Sequence, residues 1–244
     1  MEKHTRVAVV SGGSSGIGRA IVAELHRNGW LVHTCGRSAE KLAQLEQDFS
    51  GVRTAICDVS DRSAVRGFAE QVFAGTPAID LVVSNAGGLR EIDFTANDLS
   101  SVDLTAELRI NTGGAINLIA EFLPGLRRSN DASILVVSSG YALAPATRAP
   151  IYSASKAALH SFCVALRRQL TALNISVTEL LPPVVDTPAV AHRNVSKLSA
   201  ASVARQALAA TALRRAEVLP GNARFLPFLL RLAPGLAQRI VAKT

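Results

Sequence analysis

Tyr152 and Lys156 stand four residues apart in the run Tyr-Ser-Ala-Ser-Lys, and Ser139 lies thirteen residues before the tyrosine. On a helix over residues 150–173, positions i and i+4 share one face, so the phenol and the ammonium meet. A free tyrosine, with a pKa of roughly 10, is a poor base at neutral pH. A positive charge about 5 Å away at an effective dielectric of ~20 favours the phenolate by about 3 kcal/mol, roughly two pK units. That brings the phenol towards the range where it can exchange a proton with a substrate hydroxyl. Taken alone, a Tyr-x-x-x-Lys pair is more often an ordinary surface pair on a helix. The chemical reading therefore depends on what else the chain carries.

The second element lies near the other end. The apolar run Val7-Ala8-Val9-Val10 leads into Ser11-Gly12-Gly13-Ser14-Ser15-Gly16-Ile17-Gly18, and Ala20, Ile21, Ala23 and Leu25 then follow a helical period. Strand, glycine turn and helix make a phosphate cradle: backbone N–H groups and a helix N-terminus face an anion, and missing side chains let the backbone approach it. The spacing is G-x-x-x-G-x-G, which departs from the commoner G-x-G-x-x-G.

Together these pieces resemble the short-chain dehydrogenase/reductase family over about residues 5–220. The family's T-G-x-x-x-G-I-G is matched by Ser11-Gly12 and Gly16-Ile17-Gly18, and its N-N-A-G by Ser84-Asn85-Ala86-Gly87 after the apolar Leu81-Val82-Val83. Asn111, Ser139, Tyr152 and Lys156 fall where the family carries its active-site asparagine, serine, tyrosine and lysine. Its P-G-x-V-x-T becomes Pro182-Pro183-Val184-Val185-Asp186-Thr187. The resemblance implies a nicotinamide dinucleotide held by Gly12, Ser14, Ser15, Gly16, Ile17 and Gly18, by Asp58 and Val59 beside the adenine, and by Asn85, Ala86 and Gly87. It further implies contacts from Tyr152, Lys156, Pro182, Val185 and Thr187. Three positions depart from the pattern. Ser11 keeps the threonine's hydroxyl, Ser84 loses an amide, and Pro183 replaces a glycine, which forbids positive φ and removes a backbone donor.

The roles follow from the same resemblance. Tyr152 passes a proton to the carbonyl oxygen as hydride reaches the carbon, Ser139 hydrogen-bonds that oxygen, and Lys156 lowers the phenol pKa and holds the ribose. Asn111 is expected to position a water that links Lys156 to bulk; it is otherwise a helix-kink or cap residue. The expected reaction is the interconversion of a carbonyl and a secondary alcohol. The rival is a non-catalytic NADP-binding sensor or scaffold, which the intact set of four residues opposes. A nucleotide-sugar epimerase of the extended relatives needs a larger substrate domain than roughly 60 residues after Pro183 can build.

Cofactor choice is carried by the end of the second apolar run, Thr34-Cys35-Gly36-Arg37-Ser38. An acidic residue there would grip the ribose hydroxyls of NAD and repel a 2′-phosphate. Arg37 instead offers a planar guanidinium, and Ser38 a hydroxyl or N–H at the following helix start, so NADP(H) is preferred over NAD(H). The alternative is that Arg37 stacks on the adenine or is merely solvated.

The elements that must position these groups are legible as alternation. The 244 residues, 48% hydrophobic, carry apolar runs at 7–10, 31–35, 52–57, 79–83, 134–137 and 175–181, with a short one at 217–219. Helical stretches separate them, as in a Rossmann-like, doubly wound parallel α/β sheet of about seven strands with helices on both faces. One domain over 1–244 is expected, with a substrate-loop region at 184–215 and an apolar C-terminal extension at 220–244.

A net charge of +7 and a pI near 9.9 raise the question of nucleic acid, but the basic residues are scattered and aromatics are only 5%. That argues against nucleic acid and for steering of anionic small molecules. Cys35, Cys57 and Cys163 have no C-x-x-C spacing and read as buried reduced thiols. No metal site is assigned. The chain shows neither a cleavable leader nor a run of about 18 apolar residues, so a cytoplasmic location is expected. The apolar tail Phe225-Leu226-Pro227-Phe228-Leu229-Leu230-Arg231-Leu232 could cover the substrate pocket, pack on another subunit or lie on a membrane surface. Residues 88–94, 140–150 and 184–195 are expected to line the substrate pocket. They mix Leu89, Leu143 and Val190 with Arg90, Arg148 and Arg193, which suits a medium-sized ketone or alcohol with room for an acidic group. A homodimer or homotetramer is expected through the helix carrying Tyr152 and the one before it, about 104–128, using Ala157, Ala158, Ser161, Ala165 and Leu166.

Overall fold

In the computed structural model, residues 5–95, 98–191 and 195–242 are described. Arg193 of the expected pocket lies outside them. Strands and helices alternate as β1 (Val7–Ser11), α1 (Gly16–Arg27), β2 (Leu31–Gly36), α2 (Ala39–Asp48), β3 (Arg53–Ile56), α3 (Arg62–Phe73) and β4 (Leu81–Ser84). A short α4 (Ala106–Leu108) then runs through a π-helical turn (Arg109–Gly113) into α5 (Gly114–Leu126). The chain continues with β5 (Ser133–Val137), α6 (Pro150–Leu170), β6 (Ser176–Leu180), β7 (Val185–Asp186), β8 (Leu198–Ser199), α7 (Ala200–Ala212) and β9 (Glu217–Val218). It closes with α8 (Leu226–Leu232) and α9 (Pro234–Ala242).

Seven strands form one parallel sheet in the order β3-β2-β1-β4-β5-β6-β9. The chain crosses from one half of the sheet to the other between β1 and β4, and a crevice opens there beyond the carboxyl ends of the strands. Alternate residues of β1 feed opposite layers. Val7 and Val9 pack with Phe68 of α3, Phe122 of α5 and Leu159 of α6, whereas Ala8 and Val10 pack with Ile21 of α1, Leu45 of α2 and Val203 of α7. Burial on both faces is why these strands read as unbroken apolar runs.

Three local features depart from the sequence reading. The helix carrying Tyr152 ends at Leu170 and tightens into a 3-10 turn over Thr171–Leu173, closed by Asn174 at φ 54°. The helix expected over 104–128 is interrupted by the π turn, an extra residue that no 3.6-residue periodicity reveals. The segment at 184–215 carries a second, two-stranded parallel ladder in which Val185 pairs with Leu198. On α6 the small residues Ala157, Ala158, Ser161 and Ala165 are exposed, not buried against the sheet.

Candidate active site

The glycine turn is held open by its own packing. Gly12 and Gly16 adopt φ of 68° and 54°, conformations that favour glycine. A Cβ on Gly12 would come within 2.9 Å of Ala86 Cα. A Cβ on Gly18 would overlap the Gly12 carbonyl oxygen, so the third glycine serves the close seating of α1 against the turn. The Ser11 hydroxyl accepts the N–H groups of Asn85 and Ala86, each at 3.0 Å, tying the end of β1 to the end of β4. Asn85 Nδ2 donates back to the carbonyls of Ser11 and Gly12 at 3.0 and 3.1 Å. Ser15 precedes α1 without a side-chain capping bond, so the first-turn N–H groups are left to face the cleft, which Ser14, Ser15, Gly16 and Ile17 line.

Across the cleft, α6 presents Tyr152 and Lys156 one turn apart, with Lys156 Nζ 5.7 Å from the centre of the Tyr152 ring. Lys156 is buried and donates to the Val137 carbonyl at the end of β5, 2.9 Å away. Burial pushes its pKa down to about 8, against the Glu179 carboxylate and Cys163, which act in the opposite direction. Ser139, just beyond β5, accepts the Tyr141 N–H at 3.1 Å, and the Tyr141 ring meets that of Tyr152 edge-on at 6.1 Å. Asn111 sits in the π turn behind this cluster. Its amide donates to the Gly88 carbonyl at 3.0 Å and to Ser155 Oγ at 2.9 Å, and its oxygen accepts the Gly88 N–H at 2.9 Å. Ser155 in turn donates to the Tyr152 carbonyl at 2.7 Å. Asn111 thus ties the loop after β4 to the helix that carries the tyrosine. A Cβ on Gly87 would lie 2.7 Å from the Asn111 oxygen, which explains the glycine.

Residues 6–197 match the short chain dehydrogenase family. This chain belongs to the short-chain dehydrogenase/reductase family. It is 37% identical over 187 residues to the uncharacterized oxidoreductase DltE of Bacillus subtilis, covering 77% of this chain and 74% of that one. It is 32% identical over 197 residues to a fatty acyl-CoA reductase of Acinetobacter baylyi, covering 79% and 66% respectively. A third relative, the uncharacterized oxidoreductase Rv1543 of Mycobacterium tuberculosis, is 33% identical over 199 residues but covered for only 58% of its length. The chain therefore spans less than two thirds of some of the relatives it matches. Among solved structures, a short chain dehydrogenase from Burkholderia cenocepacia in complex with NADP superposes over 99% of both chains with a TM-score of 0.86 and 25% identity. A family member from Burkholderia phymatum in complex with NAD gives a TM-score of 0.82 over 95% of this chain at 22% identity, a likeness of fold.

In this dehydrogenase-family chain one cleft of about 900 Å³ unites the cradle with the Tyr152 cluster. It is lined by Gly12, Arg37, Ser38, Asp58, Val59, Asn85, Ala86, Gly87, Ser139, Pro182, Val185 and Thr187 of the anticipated set. Gly18 and Asn111 do not line it; they stand behind its surface for the packing reasons just given. Thr187 closes over the glycine turn, with its methyl 3.1 Å from where a Gly16 Cβ would stand. Despite Pro183, the turn keeps a backbone bond from Gly140 N to the Pro182 carbonyl at 3.1 Å.

At the outer end of the cradle Arg37 is exposed at the tip of β2, and Ser38 caps α2 by accepting the Lys41 N–H at 3.3 Å. Lys41 also lines the cleft, a second cation that sequence reasoning passed over. Its signal was available, since a lysine three residues after a helix cap must lie on the first turn of that helix. Burial pushes the Asp58 carboxyl up, but hydrogen bonds from Ser60 and the Arg37 charge outweigh it and hold the group below its ordinary value.

The substrate end corrects an expectation. Arg90 and Arg148 do not line the cleft; the Arg90 backbone N–H donates to Glu107, and the Arg148 guanidinium pairs with Glu91 at 3.4 Å. Leu143 is also displaced, packing beneath α8 and α9 with Ala144. What lines this end is Leu89, Tyr141, Val190 and Val195, together with Leu226, Leu229, Ile240 and Val241 of the C-terminal helices. Of the readings left open for the tail, pocket cover is realised. The cysteines are buried and free as expected, and Cys35 and Cys57 reach the cleft. Among the described residues His160, Glu179 and Glu217 bring metal-ligand atoms within 4.8 Å of one another, with His160 Nδ1 2.8 Å from Glu179 Oε2.

Proposed function

We propose that this protein is an NADP(H)-dependent oxidoreductase that interconverts an apolar carbonyl compound and its secondary alcohol. The observation that carries the reading is the placement of Tyr152 over buried Lys156 in the same cleft as Ser139 and the glycine cradle. The cradle fits a dinucleotide: glycines stand where a Cβ would collide, open N–H groups face the cleft, and Arg37 and Lys41 supply positive charge at its outer end. The bound nicotinamide supplies hydride to the carbonyl carbon and takes it back in the reverse direction. Tyr152 donates its phenolic proton to the carbonyl oxygen, and Ser139 hydrogen-bonds that oxygen as charge builds on it. Lys156 stabilises the resulting phenolate and is placed to hold the nicotinamide ribose. Asn111 keeps the loop after β4 and the π turn in register with α6, and from there can orient a water beside Lys156.

The preference for NADP(H) rests on Arg37 and Lys41, with no carboxylate at the tip of β2. The NADP complex of the Burkholderia cenocepacia relative agrees with this reading. The substrate's apolar character rests on the lining from Leu89, Val190, Leu226 and Leu229, and the likeness to a fatty acyl-CoA reductase points the same way. The exposed small residues of α6 suit a dimer or tetramer, which light scattering reads directly; a concentration-independent monomer mass would exclude it.

Tyr152→Phe tests the reading. It removes the transferable proton and leaves the ring, so folding and NADPH binding should persist while carbonyl reduction falls by about 10²–10⁴-fold. Undiminished turnover in this variant would place the proton donor elsewhere. NADPH binding without reduction of any carbonyl by the wild type would favour a sensor.

A further inference from the structure

The inner face of the C-terminal helices is accounted for by the cleft; their outer face is not. After the 3-10 turn Gly221–Phe225, α8 and α9 form a helical pair whose buried side, Leu226 and Ala237, packs on Ala144. Along this segment Phe225, Phe228, Leu232, Leu236 and Ile240 are between 49% and 65% exposed, and of these only Ile240 also borders the cleft. Scattered exposed apolar residues need no explanation, but five within one short segment form a patch.

Charge decides what covers that patch. Each helix repeats one exposed pattern: Phe228, Arg231 and Leu232 on α8, and Leu236, Arg239 and Ile240 on α9, spaced i, i+3, i+4. Arg224 stands beside them with its guanidinium 4.7 Å from the centre of the Phe225 ring. The sequence holds no aspartate or glutamate after Glu217. A second copy docked through the same face would gather Arg231 and Arg239 of both copies into one interface, with no aspartate or glutamate in these helices to pair them. An anionic surface neutralises all three. It also lets the arginine stems lie along the apolar side chains while their heads reach the phosphates, as in helices that lie in a membrane interface.

We propose that the outer face of α8 and α9 docks this protein on an anionic lipid surface. The docking stands apart from the catalytic reading, because the anchoring side chains Phe228, Leu232 and Leu236 do not line the cleft. Ile240, which does, is exposed at the margin of the patch, so the docked cleft opens beside the lipid.

The test is co-sedimentation of the full chain with vesicles of phosphatidylglycerol and of phosphatidylcholine. The wild type should bind phosphatidylglycerol at least tenfold more tightly than phosphatidylcholine. The triple variant Phe228→Ser, Leu232→Ser, Leu236→Ser should lose tenfold or more of that binding while keeping its melting temperature, since the side chains are exposed. The double variant Arg231→Gln, Arg239→Gln should lose the preference for the anionic lipid, and it guards against misfolding of the first. Equal binding by wild type and triple variant would mean that only the net charge is read and would overturn the proposal. So would a wild type that ignores vesicles and instead dimerises through this face.

Discussion

Replacing Lys156 by methionine removes one charge from a site where its effect can be worked out. With Nζ 5.7 Å from the Tyr152 ring centre and an effective dielectric of ~20, Coulomb's law gives about 3 kcal/mol of phenolate stabilisation. At roughly 1.4 kcal/mol per unit, that corresponds to about two pH units. Burial pushes Lys156 itself down to about 8, so the charge that favours the phenolate is in place through neutral pH. Alcohol oxidation by the wild type should therefore rise with an apparent pKa well below the roughly 10 of a free phenol, and that of Lys156→Met about two units later. The assay is kcat/KM for a secondary alcohol at saturating NADP⁺ across the neutral and alkaline range. A deuterated alcohol ensures that the chemical step is being read. Methionine keeps the volume of the stem, so the pocket beside Val137 should not collapse. An unmoved profile in Lys156→Met would refute the electrostatic role of the lysine even if the rate fell.

Two further outcomes follow from other parts of the molecule. Arg37→Asp should reverse the order of cofactor affinity, costing NADPH about ten- to a hundredfold as a charge-assisted contact is lost and a repulsion gained; equal wild-type affinities for NADPH and NADH, measured by cofactor fluorescence, would sink the assignment. His33, buried in β2, is pushed by burial and by Arg53 down to about 4 from 6.5. A depressed folded-state pKa gives stability that is present above the unfolded value and lost as pH falls through the folded one. Up to about 3 kcal/mol should thus disappear between about pH 6.5 and 4. Urea midpoints of His33→Gln should show a flatter dependence over that window, and a slope like the wild type's would contradict this.

Much of the fold and the core of the site were legible in order and spacing. Parallel strands buried on both faces must be apolar throughout, and the helices between them must carry a 3.6-residue period, so the alternation from Val7 to Val218 reads directly as a doubly wound sheet. A turn that brings backbone to within van der Waals distance of another segment needs glycine, which is why Gly12 and Gly16 stand out. Tyr152 and Lys156 are neighbours through local helix geometry, and nothing distant had to be known. Contacts between remote segments were another matter. Gly18 looks like a cofactor contact in the string but answers to the Gly12 carbonyl, and Asn111 depends on a π turn whose extra residue leaves no periodic trace. Arg90 and Arg148 sit in the right segments, yet neither lines the cleft, and Arg148 pairs with Glu91 instead. From its sequence the tail could have covered a pocket, packed on another subunit or lain on a membrane surface. Amphipathic spacing records that a face is buried and not what buries it, so only the packed chain could show Leu226 and Leu229 against the cleft, with Phe228 and Leu232 turned outward.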